Sequence, residues 1–239
     1  MRYSLAITFI LFIFLSCADA QESIIDSLKG ANISVVTVVA RQTQVFKSPK
    51  AEAAIDARTG RILIARRGLA ANMEQNGAGV IISRDGLIVT NYHVVHQAQQ
   101  LGVILSDDNS YPVKILHLMP QHDLALLKVD APHPLTPILL ADSDKIALGE
   151  EVVNIGHSEL LNRTISGGRI NRLATNTLTH EVEFIQVNMN MYKGDSGGPI
   201  LDREGRLLGM VMGKFRNKDK ATLAIPSNKI KKLYLDFIK

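Results

Sequence analysis

An all-β fold follows from two features of this sequence. Apolar residues fill 46% of the 239 positions, yet aromatics fill only 5% and Trp is absent. The core must therefore be built from Ile, Leu and Val, residues that suit a pleated, buried surface. Those residues also come in short runs separated by Gly, Asp, Asn and Pro, which is the spacing of a β-barrel or a β-sandwich. A chain of this length commonly forms one structural unit in such folds.

Residues 1–20 stand apart from the fold. Arg2 supplies a positive start, Leu5–Leu15 a short apolar run and Ala18-Asp19-Ala20 a small-x-small cleavage site. The run is too short to span a bilayer comfortably. Together these features predict a secretory signal peptide cut after Ala20, and a chain exported to the periplasm or the extracellular space. Leu15-Ser16-Cys17 partly resembles a lipoprotein signal. Lipidation of Cys17 would tie the mature chain to a membrane; cleavage after Ala20 would leave it without cysteine. In neither case does a disulfide framework form, and stability rests on packing.

The first strand is expected over residues 31–41, rich in Ile and Val. Residues 46–76 hold a hairpin around Arg58-Thr59-Gly60-Arg61 and then a loop ending at Gly77. Strands follow near 78–83, 87–91, 101–105, 112–117 and 124–129. Pro132, Pro134 and Pro137 mark a linker. A second set of strands is expected near 151–155, 163–173, 183–188, 199–202, 206–212 and 221–225. Ser227 suits the N-cap of a final helix over 228–238.

The formal charge is +4, with basic residues gathered at Arg66-Arg67, Lys214–Lys220 and Lys229–Lys232. These read as solvated surface, and the C-terminal group offers a contact for anionic envelope lipid or polymer. No nucleic-acid recognition motif is present, so no nucleic-acid partner is expected.

Gly194-Asp195-Ser196-Gly197-Gly198-Pro199 carries the chemistry. It places one hydroxyl in a tight turn, where residues without Cβ let N–H groups converge. A serine nucleophile needs a free Oγ and donors aimed at the oxygen that will become negative. The N–H groups of Gly194 and Ser196 are candidates for those donors. A serine also needs a histidine to take its proton and a carboxylate to orient that histidine. None of the seven histidines follows Ser196. This argues against the α/β-hydrolase order of Ser, then acid, then His. His93 ends the run Leu87-Ile88-Val89-Thr90-Asn91-Tyr92-His93, where a rigid strand would hold a base in place. Asp123 opens Leu124-Ala125-Leu126-Leu127-Lys128-Val129, and a carboxylate at the mouth of a buried strand needs a partner. His93-x-x-His96 lacks the glutamate of a zinc-protease motif, so His96 is read as structural and neither metal nor cofactor is expected.

Thr90-Asn91-Tyr92-His93-Val94-Val95, Asp123–Val129 and Gly194–Pro199 resemble the three catalytic blocks of trypsin-like serine proteases, and in particular the HtrA (DegP-like) branch. Gly77–Ser83, Asn154-Ile155-Gly156-His157, Thr164–Ile170 and Ala224-Ile225-Pro226-Ser227 resemble further blocks of that branch. The likeness spans about residues 77–230 and, weakly, 31–45.

It implies a chymotrypsin/trypsin-like double six-stranded β-barrel with a short C-terminal helix. The first barrel would cover about 31–131, the second about 139–226 and the helix about 228–238. It further implies an endopeptidase acting on unfolded or damaged envelope proteins, through a His93-Asp123-Ser196 triad and an acyl-enzyme, and a homo-oligomer such as a trimer. Asn190, Met191 and Tyr192 would line one wall of the substrate pocket and Met212, Gly213 and Lys214 another. No acidic residue stands six positions before Ser196, where trypsin places one, so a small or medium aliphatic residue is expected before the cut rather than Lys or Arg.

Three departures accompany the likeness. Asp195 stands where this branch usually has Asn, and a lysine, an arginine or solvent would have to meet its charge. A chain of 239 residues is expected to lack the PDZ module of the branch, and residues 46–76 match no family block. Two further readings stay open: a chaperone-like envelope binding module with a latent catalytic loop, and a non-peptide esterase.

Overall fold

The runs Leu87–Thr90 and Leu124–Val129 are apolar throughout apart from Thr90 and Lys128, a pattern that fits strands covered on both faces. The computed structural model, which describes residues 28, 30–45, 52–55, 62–65, 70–156, 164–214 and 221–237, shows what covers them. Strands β1 (Val35–Val45), β4 (Ala70–Ile81), β5 (Leu87–Thr90), β6 (Gln100–Ile104), β7 (Ser110–Met119) and β8 (Leu124–Val129) form one closed barrel in the order β1-β4-β5-β8-β7-β6. Between β1 and β4 in sequence, β2 (Glu52–Ile55) and β3 (Ile62–Ala65) pair with each other as a separate antiparallel ribbon. Strands β9 (Glu151–Gly156), β10 (Thr164–Thr175), β11 (Val182–Asn188), β12 (Pro199–Leu201), β13 (Leu207–Lys214) and β14 (Thr222–Pro226) form a second barrel, in the order β10-β11-β14-β13-β12-β9. Every pairing within the two barrels is antiparallel. Barrel rather than sandwich is the outcome, twice over, and closure leaves neither sheet a free edge. Helix α1 (Tyr92–Val95) makes a single turn after β5, and helix α2 (Ser227–Phe237) follows β14.

Period two explains the double burial. On β5 and β8, Ile88, Ala125, Leu127 and Val129 point into the first barrel with Val36, Val38 and Val103. The alternate residues Leu87, Val89, Leu124 and Leu126 point outward. There they meet Ile155, Leu201, Leu207, Met210 and Ile225 of the second barrel, whose own interior holds Val152, Ile185, Ile200, Leu208 and Val211. A third apolar core therefore lies between the barrels. Helix α2 closes it with Ile230 and Leu233, three positions apart on one face.

Three expectations are corrected. The first strand runs over 35–45 instead of 31–41, because β4 pairs with it all the way from Val35↔Val80 to Val45↔Ala70. The segment before Gly77 is for the same reason strand from Ala70 on, rather than loop. Ser227 is the first residue of α2 rather than its cap, and its Oγ donates to the Ala141 carbonyl (2.8 Å). The cap comes instead from Ser143, whose Oγ accepts the N–H of Asn228 (3.1 Å). The signal peptide expected at 1–20, with Cys17, lies outside the described residues, as do Arg58–Arg61, Arg66-Arg67, His157 and positions 215–220.

Candidate active site

β5 ends at Thr90, and the chain then makes the single helical turn α1, which carries His93. The geometry of that turn is set by Asp123, just before β8. Asp123 adopts φ +53°, a left-handed conformation that Asp and Asn tolerate better than most residues. It ends the 3-10 turn Pro120–His122. In that pose one residue holds the whole histidine turn. Its carbonyl accepts the N–H of Tyr92 (3.1 Å) and Nδ2 of Asn91 (3.1 Å). Its Oδ1 accepts the N–H of His93 (3.0 Å), and its Oδ2 meets His93 Nδ1 at 2.8 Å. A carboxylate only accepts, so Nδ1 carries the proton and Nε2 is left as an acceptor. The His93 side chain is 40% exposed against 21% for Asp123: the carboxylate is the more covered of the two and the imidazole the more open.

The serine loop lies between β11 and β12 of the other barrel. Tyr192–Asp195 forms a turn closed by the Asp195 N–H to the Tyr192 carbonyl (3.1 Å). Gly194, its third residue, has φ +102°, the sign a type II turn requires there. Among the described residues, no hydrogen bond engages the N–H of Gly194 or of Ser196, and none joins Ser196 Oγ to His93. Bonds of the latter kind commonly tighten only once substrate is bound. Asp195 is 1% exposed, so bulk solvent does not meet its charge. Its Oδ2 accepts the N–H of Tyr192 (2.7 Å) and closes the turn a second time, from the side chain.

An Asn at 195 would present the same acceptor oxygen. Asp195→Asn is therefore expected to retain activity within about threefold. Asp195→Ala should lose about tenfold or more in kcat, because it removes the part-buried bond that closes the turn from the side chain, and hydrogen bonds to a charged group are worth about 1.5–3 kcal/mol. Steady-state hydrolysis of a small ester by the two variants checks this.

Docking of this loop on β4 joins the two halves of the site. The N–H of Ala78 donates to the Ser196 carbonyl (2.7 Å), linking the first barrel to the second. Gly197 (φ +84°) lies so close that a Cβ there would stand 2.0 Å from the Ala78 carbonyl oxygen. Thr90 Oγ1 donates to that same oxygen (2.7 Å). A Cβ on Gly77 would stand 2.9 Å from both methyls of Val94 and 3.1 Å from the Ser196 carbonyl oxygen. The residue after His93 and the backbone of Ser196 thus meet over one glycine. On the far side, Gly197 donates to the Val211 carbonyl (2.9 Å) and Val211 to that of Gly198 (2.8 Å). Asn154, 1% exposed, donates from Nδ2 to the Pro199 carbonyl (3.0 Å).

Gly77, Ala78, Thr90 and Asn154 are positioning residues whose roles sequence reasoning misses. Two glycines inside the strand segment Gly77-Ala78-Gly79 are the one available signal, since strand glycines mark close backbone approach.

The six pocket candidates flank this loop on two elements. Met191 is half-buried against the core of the second barrel, with exposed Asn190 and Tyr192 on either side. Met212 bulges out of the β13–β14 register and packs on the interbarrel core. Gly213 faces open space, and Lys214 is exposed. Thr222, paired with Lys214, donates its hydroxyl to the Met189 carbonyl (3.1 Å) and ties the two elements together. His96 is exposed, its ring tilted against that of Tyr92 at 5.0 Å.

Residues 77–210 match the trypsin-like peptidase domain family. The chain belongs to that family. Relatives of this trypsin-like chain include the periplasmic pH-dependent serine endoprotease DegQ of Escherichia coli (strain K12), 35% identical over 158 residues, which are 64% of this chain and 35% of DegQ. The periplasmic serine endoprotease DegP of the same strain is 36% identical over 163 residues, 66% of this chain and 34% of DegP. The chain thus spans about a third of the length of these relatives. Among solved structures, the HtrA-type protease AlgW with a decapeptide superposes with a TM-score of 0.71 at 26% identity, covering 90% of this chain and 67% of that one. The serine endoprotease from Yersinia pestis gives 0.68 at 25%, covering 90% and 66%. The trypsin-like family, the HtrA relatives and the double barrel all agree with the resemblance carried by the sequence motifs.

Proposed function

We propose that this chain is a serine endopeptidase working by acyl transfer. Ser196 Oγ attacks a peptide carbonyl while His93 Nε2 takes its proton. Asp123 keeps the proton on Nδ1 and stabilises the imidazolium that forms. The oxyanion develops against the N–H groups of Gly194 and Ser196, each worth on the order of 3 kcal/mol in the transition state. His93 then returns the proton to the leaving amine, and water repeats the sequence on the acyl-enzyme. Asn190, Met191, Tyr192, Met212, Gly213 and Lys214 line the pocket for the residue before the cut. The methionines adapt its shape, which suits varied unfolded substrates.

One observation carries the reading: the hydrogen-bonded His93–Asp123 pair meets the serine loop across Gly77 and Ala78, at the boundary between the barrels. The positive φ at Gly194 favours a pre-formed loop over a latent binding module. The periplasmic relatives support action on proteins outside the cytoplasm. A fluorophosphonate probe should label the chain, with the adduct mapped to Ser196 by mass spectrometry, and a denatured protein such as casein should be cut. Absence of both would overturn the proposal; labelling with ester turnover but no protein cleavage would leave an esterase.

A further inference from the structure

The charges around the proposed cleft point to a substrate class. We propose that the cleft selects peptide segments bearing Asp or Glu close to the scissile bond; this rests on Ser196 as the nucleophile. With 23 Asp and Glu in 239 residues, about one position in ten is acidic. Yet Tyr92–Val95, whose Val94 packs over Gly77 beside the Ser196 carbonyl, Met189–Gly194, which leads into the serine, and Leu207–Lys214, bonded to the loop through Val211, contain none. Among the described residues, the two carboxylates that reach the site are both engaged inside it. Asp123 is bound to His93, and Asp195 is buried with its Oδ2 on the Tyr192 N–H. The full charges that these three stretches carry outward are cationic.

Lys193 is exposed and directly precedes Gly194, one of the two proposed oxyanion donors. Consecutive Cα atoms are about 3.8 Å apart, so an ammonium on a four-carbon stem reaches the residues next to the scissile bond. Lys214 is exposed at the end of β13, the strand bonded to the serine loop through Val211, and follows Gly213, whose Cα faces open space. One lysine thus stands on each pocket wall, the Tyr192–Asp195 turn and the β13 end. Each already takes part in an interaction within the chain, and an ammonium with three donors has capacity for a second acceptor. The net charge of the chain is only +4, so this is local sorting of charge rather than general basicity. A cleft of one sign concentrates ligands of the other and repels its own, in a manner that salt weakens.

The test uses the full chain carrying Ser196→Ala and three fluorescein-labelled decapeptides, identical except for Glu, Gln or Lys at two positions on each side of a central aliphatic residue. Binding is read by fluorescence anisotropy at about 50 mM and about 500 mM NaCl, between which the screening length falls severalfold. The Glu peptide is expected to bind about tenfold more tightly than the Lys peptide, each exposed pair contributing a factor of about two to five. The gap should close at high salt. Lys193→Glu with Lys214→Glu, checked for folding by thermal melting, should invert the order, while Lys193→Gln alone should shrink it. Equal binding, tighter binding of the Lys peptide, no binding of the Glu peptide, or an order untouched by the double variant would each overturn the inference. Because binding needs no turnover, its outcome is separate from fluorophosphonate labelling of the wild type. Labelling without charge preference defeats this inference alone; charge preference without labelling defeats the peptidase reading.

Discussion

Ser196→Ala is expected to lower kcat on any susceptible peptide or ester by about six orders of magnitude, and Asp123→Asn by about four. The two act by different routes. Ser196→Ala removes the attacking atom. The backbone bond from Ala78 and the neighbouring glycines are untouched, so the melting temperature should barely move. In Asp123→Asn the side chain keeps one oxygen but gains an amide. The position still tolerates φ +53°, and the oxygen can still accept the His93 N–H. The amide then faces His93 Nδ1 as a donor, which drives the imidazole proton to Nε2, the atom that must accept from Ser196. The double variant should be no slower than Ser196→Ala, because the residues act as one unit. Rates on a chromogenic ester, with melting curves on each variant, separate this from simple unfolding. A loss below about tenfold in Asp123→Asn would remove Asp123 from the mechanism.

The second large effect is on stability. Gly197→Ala should destabilise the protein by more than about 3 kcal/mol and abolish activity with it. The new Cβ would stand 2.0 Å from the Ala78 carbonyl oxygen and 2.7 Å from Thr90 Oγ1, at a φ of +84° that L side chains rarely adopt. Relief by movement is blocked. Ala78 is fully buried in β4, its carbonyl holds the Thr90 hydroxyl, and its N–H holds the Ser196 carbonyl. On the other side, the Gly197 N–H is committed to Val211. The internal comparison is Gly213→Ala, where the added methyl meets nothing within 4 Å; its unfolding free energy should match the wild type within about 0.5 kcal/mol. Denaturant titration of the pair measures both. Similar midpoints for the two variants would mean that the loop does not dock on β4 as described.

The legible parts of this molecule are those where chemistry or period leaves a mark in one short segment. The glycines around Ser196, the apolar runs after Gly86 and Asp123, and the lack of any histidine beyond Ser196 are each visible locally. They lead to His93, Asp123 and Ser196 as candidates. Strand periodicity alone leaves barrel and sandwich open. The difference lies in closure, through pairings such as β1 with β6 that no local pattern records. The same holds for Ala70–Asn76, polar enough to read as loop and held as strand by its ladder to Val39–Val45. Ser227 has the chemistry of a cap, yet the task falls to Ser143, which the fold brings to the helix start from the 3-10 turn Ser143–Lys145. Asp195 shows the limit most clearly: its charge is visible in the motif, but its acceptor bond to Tyr192 depends on how the turn folds back.

The bond from the Ala78 N–H to the Ser196 carbonyl has a consequence for the life of the chain as it is made. His93 and Asp123 lie among the strands of the first barrel, and Ser196 among those of the second. A chain emerging from its N-terminus therefore carries the proposed acid–base pair well before the proposed nucleophile. Ser196, once synthesised, meets the first barrel only when its loop settles on β4. On the proposed mechanism, a half-made copy holds only half of the site and has no means of cutting.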